Sequence, residues 1–160
     1  MELYAKFLLQ FLHALQNSFA QIETFVFSTR LTRTSAMLRN ARWEHALSGV
    51  AREVIDWSGG TRIGASLSRF VEHWISLVDR RTVVIVLSDG WETGEPAELG
   101  ASMARLHQRA GRVIWLNPLM GSEGYAPETR GMQAALPHID LLAPAHNVES
   151  LERLVRHLAI

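Results

Sequence analysis

From Leu3 onward the apolar positions fall at Leu3, Phe7, Leu8, Phe11, Leu12, Leu15 and Phe19, a spacing that predicts a helix with one broad buried stripe. No Ser, Thr, Asp or Asn precedes it, so the helix starts without its capping residue and a preceding element is expected. Ile22 to Phe27 is β-branched and aromatic on both faces, which predicts a strand buried between helical layers, and a short second strand is expected over Leu31 to Thr34. Trp43, Ala46, Leu47, Val50 and Val54 mark another amphipathic helix, ending before the turn Asp56-Trp57-Ser58-Gly59-Gly60.

Thr61 is placed to cap a helix with the stripe Ile63, Leu67, Phe70, Val71, Trp74, Leu77 and Val78. Thr82 to Leu87 then reads as a nearly wholly apolar, central strand that delivers Ser88-Asp89-Gly90 at its carboxyl end. Pro96 and Gly111 bracket the next helix, and Arg112 to Leu116 is the following strand. A loop over Asn117 to Pro127 leads to a short helix near Glu128 to Ala135, and a last strand is expected over Ile139 to Ala143. Asn147 caps a final helix that turns Val148, Leu151, Leu154, Val155 and Leu158 inward. Alternating strands and helices predict an α/β fold, a doubly wound, mostly parallel sheet with helices on both faces. At 160 residues, with no linker or repeat, the chain reads as one domain over 1–160.

Composition narrows the function classes. An apolar fraction of 48% with 20% charged residues suits a globular protein rather than a disordered tail. Sixteen basic residues balance sixteen acidic ones, so no net field draws in nucleic acid or an anionic membrane. There are no cysteines, which excludes disulfides and thiolate-bound zinc. The first helix is interrupted by Glu2, Lys6, Gln10, His13 and Gln16, so it is neither signal peptide nor membrane span, and a cytoplasmic location is expected.

Ligands of doubly wound sheets gather beyond the carboxyl ends of the strands. Three segments reach that rim: Ser58 to Gly64, Ser88 to Glu92, and Asn117 onward. Asp89 and Thr61 carry the oxygen types that Mg2+ takes, yet the same residues also serve as a turn former and a helix cap. Trp57, Trp91 and Glu92 flank the rim, where an exposed aromatic anchors a partner and a buried one packs over the loops. Ser58 and Ser88 lie outside any G-x-S-x-G sequence, and neither G-x-G-x-x-G after a strand nor a P-loop is present. The histidines show no metal-ligand spacing, and the basic stretch Arg30, Arg33, Arg39 and Arg42 reads as a solvated face or an acidic-partner site.

Gly59-Gly60-Thr61-Arg62-Ile63-Gly64-Ala65-Ser66-Leu67 and Val84-Ile85-Val86-Leu87-Ser88-Asp89-Gly90 resemble the threonine and aspartate segments of the von Willebrand factor A (VWA) metal-ion-dependent adhesion site (MIDAS). Glu23 to Leu31, Asp56 to Thr61, Ser88-Asp89-Gly90-Trp91 and Trp115-Leu116-Asn117-Pro118 are similar to the CoxE-like VWA proteins in particular, and the similarity runs over essentially the entire chain. The resemblance implies a VWA/Rossmann-like sheet of six strands and a Mg2+ held by D-x-S-x-S, then Thr61, then Asp89. The D-x-S-x-S motif has no counterpart, because it should end where Met1 begins. The domain is therefore expected to be incomplete at its N-terminus, lacking the first, central strand.

Two consequences are expected. Thr61 and Asp89 form an incomplete metal site with weak or no Mg2+ affinity, since Mg2+ dehydrates reluctantly. Two strand edges lose their neighbour, which favours strand-borrowing oligomers. The resemblance further implies a non-enzymatic interaction module working with a MoxR-type AAA+ ATPase in maturation of a client, a molybdenum-containing carbon monoxide dehydrogenase or related enzyme. Partner contacts are expected at the rim through Trp57, Ser58, Trp91, Glu92 and Asn117. The alternative is a metal-dependent phosphohydrolase using Asp89.

Overall fold

A computed structural model of the chain describes residues 2–39, 42–53, 60–145, 153, 154 and 158. Contacts divide it into two compact units, residues 1–60 and 61–160. No helix among the described residues is long and apolar enough to cross a membrane.

The first unit opens with α1 (Glu2–Ser18), followed by β1 (Phe25–Phe27), β2 (Leu31–Arg33), α2 (Ser35–Leu38) and α3 (Trp43–Glu53). Leu9 of α1, Leu38 of α2 and Ala46 and Val50 of α3 meet in its core, as their helical spacing requires. Under the hairpin lies a polar network. Thr24 donates to Gln16 and accepts from Thr34, and the Gln16 amide donates to the Ile22 carbonyl. Buried hydroxyls and amides are tolerated there because each has a partner.

That network explains where the expected strand over Ile22 to Phe27 fails. The Thr24 N–H donates to the Ser35 hydroxyl at 2.9 Å, which withdraws it from any ladder. Only Phe25 to Phe27 remain as a strand, half-buried and antiparallel to β2, with Phe25 opposite Arg33. The result is a two-stranded ribbon rather than a strand between helical layers. Glu23, although burial pushes its carboxyl up, is held below its ordinary value by the Ser35 hydroxyl and by the guanidinium of Arg33.

The second unit carries α4 (Ile63–Trp74) with a 3-10 turn (Ile75–Leu77), β3 (Val83–Leu87), α5 (Pro96–Arg109), β4 (Arg112–Asn117), α6 (Arg130–Ala135) with a 3-10 turn (Leu136–His138), and β5 (Leu141–Pro144). Its sheet is parallel in the order β3-β4-β5. Val113, Ile114, Trp115 and Leu116 of the central β4 are fully buried. Leu99, Met103 and Leu106, at i, i+4 and i+7 on α5, are equally inaccessible. α5 packs against both α4 and α6. Sequential strand order with right-handed crossovers places α5 and α6 on one face.

Among the described residues β3 has a neighbour on one side only. The Thr82 carbonyl accepts from Arg112 and the Ser88 N–H donates to Leu116, so the even-numbered residues of this strand face β4. Backbone groups of Val83, Ile85 and Leu87 therefore point to the open edge. The edge V-V-I-V-L carries no charge and no proline, the features that usually guard such strands.

The final strand begins at Leu141 rather than Ile139 because Asp140 has another task. Its carboxylate accepts the Val113 N–H at 2.7 Å and pairs with His107 Nε2 of α5 at 3.0 Å. The Val113 bond, opposed by partial burial and helped by His107, holds the Asp140 carboxyl below its ordinary 3.8. A depressed carboxylate stabilises the fold above its unfolded value and loses that contribution as pH falls through the folded one. Asp140→Asn is thus expected to cost about 1 kcal/mol at neutral pH, discounted for solvent exposure, and to cost progressively less below pH ~4. Urea titrations of both proteins between neutral and acid pH check this. The helix expected from Asn147 lies largely outside the described residues, although Leu154 is helical and buried.

Candidate functional site

The carboxyl ends of β3 and β4 carry the densest set of non-local side-chain bonds to backbone in the second unit. Three successive carbonyls after β3 are each held by a different side chain. The Ser88 carbonyl accepts the indole N–H of Trp115 at 2.8 Å, the Asp89 carbonyl accepts Asn117 Nδ2 at 3.2 Å, and the Gly90 carbonyl accepts the Thr129 hydroxyl at 2.9 Å. Thr129 is also the N-cap of α6, accepting the Met132 N–H at 3.2 Å. A loop anchored from β4 and α6 at three consecutive peptides cannot swing, so the Asp89 side chain is presented from a fixed backbone.

Close packing completes the anchoring. Gly90 has φ +77, and a Cβ there would meet the Met132 side chain. A Cβ on Gly131 would stand 2.3 Å from the Gly90 carbonyl oxygen. The first turn of α6 therefore rests directly on the Asp89 turn.

Thr61 joins the same rim. Its carbonyl accepts both the N–H of Thr93, at 3.1 Å, and the Thr93 hydroxyl, at 2.9 Å. Glu92 bridges the two segments, one carboxylate oxygen accepting the Gly64 N–H at 2.5 Å and the other the Gly94 N–H at 2.6 Å. Thr61 does not cap α4: the cap position is Arg62, with no side-chain cap bond, and Glu92 supplies the acceptor from 28 residues away. A carboxylate at a helix N-terminus is favoured by the orphan N–H groups and the dipole.

The remaining expected residues take distinct places. Asp89 is half-buried, with Oδ1 accepting the Trp91 N–H at 2.9 Å. The Thr61 hydroxyl has no hydrogen bond among the described residues. Trp91 is 65% exposed, an uncommon state for tryptophan. Asn117 is fully buried, its amide shared among the Asp89 carbonyl, the Tyr125 hydroxyl at 2.6 Å and the Leu119 N–H at 2.9 Å. It supports Asp89 from beneath rather than standing at the surface. Trp57 and Ser58 lie outside the described residues.

Tyr125 and Thr129 were not singled out by sequence, because nothing local distinguishes them. Burial and then the Asp89 charge push the Tyr125 phenol above its ordinary value, so it stays a neutral hydrogen-bonding group beside that carboxylate.

A hydroxyl and a carboxylate are hard oxygen donors, right in kind for Mg2+. No group of three His, Cys, Asp or Glu side chains able to hold a metal ion occurs among the described residues.

A parallel sheet with crossover helices, and a rim beyond its strand ends, defines an α/β protein of the VWA/Rossmann-like class. The family model described as "VWA domain containing CoxE-like protein" matches residues 1–151, and the chain belongs to that family. No curated protein and no solved structure matches it.

Proposed function

We propose that the chain is a non-enzymatic interaction module whose docking surface is the rim around Asp89. The observation that supports this most is the pairing of rigidity with exposure. The Asp89 loop is fixed by Trp115, Asn117, Thr129, Glu92 and Thr93, while Trp91 at its apex is left 65% exposed. Fixed backbone with an exposed aromatic is the arrangement of a binding anchor. The partners proposed for it are a MoxR-type AAA+ ATPase and a molybdenum-containing dehydrogenase of the carbon monoxide dehydrogenase type, a reading that membership of the CoxE-like VWA family supports. The ATPase supplies the work, and the VWA module supplies targeting.

When bound, Mg2+ would offer an open coordination position to a carboxylate of the partner, with Thr61 and Asp89 as the residues of this chain that hold it. Two protein oxygens compete poorly with the hydration shell of Mg2+. Calorimetric titration of this chain with MgCl2 is therefore expected to give weak or undetectable heat, and a micromolar dissociation constant would contradict it.

The phosphohydrolase alternative needs a second acid or a lysine free to assist Asp89, but Glu92, the acid bonded at this turn, is committed to the Gly64 and Gly94 N–H groups, and the other side chains bonded there are Thr93, Trp115, Asn117 and Thr129. Purified protein with Mg2+ and an aryl phosphate is expected to show no turnover above buffer. Turnover that disappears in Asp89→Ala would overturn the adaptor reading.

A further inference from the structure

The charge of the rim differs sharply from that of the chain. Segments 88–98 and 117–129 together contain six carboxylates and no Lys, Arg or His, although acids and bases balance over the whole sequence. The cations nearest in sequence are Arg130, Arg112, Arg81 and Arg105, and the third rim segment, 58–64, adds one cation, Arg62, and no carboxylate, so the acids of the rim still outnumber its bases. The Tyr125 bond to Asn117 and the Thr129 bond to Gly90 bring the second segment against the Asp89 turn, so both segments lie on one end of the sheet. Glu92 is occupied by backbone N–H groups, but Glu95, Glu123 and Glu128 are exposed. Trp91 at 65% and Leu119 at 43% are the large apolar side chains exposed in these segments.

Resting on the reading of the rim as a docking surface, we propose that its occupant is a basic, apolar-studded segment of a partner protein. In this complex an arginine stacks on the Trp91 indole, apolar neighbours cover Leu119, and further cationic side chains face Glu95, Glu123 and Glu128. Charge complementarity selects this occupant. Phosphate groups of nucleic acid or of an anionic membrane are repelled by the same carboxylates. A guanidinium gains from the indole face and the acidic surround together, and because the aromatic is already exposed and its backbone fixed, little ordering opposes binding. This contact needs no metal, which separates it from capture of a partner carboxylate through Mg2+.

The test uses the full chain and two labelled peptides of equal length, one alternating Arg and Leu, the other Glu and Leu, followed by fluorescence anisotropy with and without Mg2+. The Arg peptide is expected to bind without Mg2+ and to weaken steadily with added NaCl. Trp91→Ala should weaken it about tenfold, as expected from loss of a desolvated cation–π contact with its apolar area. The double variant Glu123→Gln, Glu128→Gln should weaken it several-fold, with unchanged circular dichroism in both cases. Equal binding of the two peptides, indifference to Trp91→Ala, or concentration-dependent self-association that displaces the peptide would each overturn the proposal. Binding of the Glu peptide only, dependent on Mg2+ and lost in Asp89→Ala, would overturn it while leaving the metal-based reading intact. Arg-peptide binding with no Mg2+ response leaves this proposal standing and removes the metal from the other.

Discussion

Alanine at Gly131 is expected to destabilise the protein by about 3 kcal/mol, toward the upper end for overpacking, because the added Cβ meets the Gly90 carbonyl and the Glu92 Cβ. It would lie 2.3 Å from the Gly90 carbonyl oxygen and 3.3 Å from the Gly90 carbonyl carbon, with Glu92 Cβ at 2.9 Å. None of these is the tip of a flexible side chain. Relief requires α6 to back away from the Asp89 turn, which lengthens the 2.9 Å bond between Thr129 and the Gly90 carbonyl and frees the loop. The midpoint of urea unfolding should fall with an unchanged slope, and backbone amide resonances of residues 88–94 should shift more than those of β5. A variant as stable as the parent would show that α6 is not seated on this turn.

Leucine at Asn117 is expected to cost a similar amount, about 3 kcal/mol, for a different reason. The side chain is fully buried and branches as leucine does, so the shape is kept, although two methyl groups are bulkier than an amide and add some overpacking. What is lost is a set of bonds: the Asp89 carbonyl, the Leu119 N–H and the Tyr125 hydroxyl all lose a buried partner. Unpaired buried groups carry most of that cost. Because all three orphans belong to the rim segments, docking should weaken along with stability. Serine at the same position, which keeps one donor and acceptor, should recover part of both.

Much of the fold was legible because its determinants are local. Pro96, the stripe Leu99, Met103 and Leu106, and Gly111 mark α5 with no knowledge of its neighbours. β4 announces itself by four consecutive apolar residues that prove to be central and fully buried. The errors arise where a side chain bonds backbone far away in sequence. Ser35 takes the Thr24 N–H and shortens β1, and Asp140 takes the Val113 N–H and delays β5.

The candidate site was legible in its chemistry and illegible in its support. Asp89 and Thr61 stand out by motif, but Trp115, Asn117 and Thr129 reach the Asp89 turn across 27, 28 and 39 residues. Glu92 reads as a rim acid by position, and only three-dimensional structure reveals that it caps α4. Trp91 is the reverse case. Tryptophan is usually well covered, and in the same unit Trp115 is fully buried while Trp91 stands in solvent.

On the proposed function, the Asp89 rim is where a protein partner docks. Its most direct test is binding of a purified MoxR-type AAA+ ATPase to immobilised parent chain, Asp89→Ala and Asp140→Asn, the last as a control on the opposite end of the sheet. Retention of the ATPase by the parent and by Asp140→Asn, with its loss in Asp89→Ala at unchanged circular dichroism, is the expected result. Equal retention by all three proteins would contradict it.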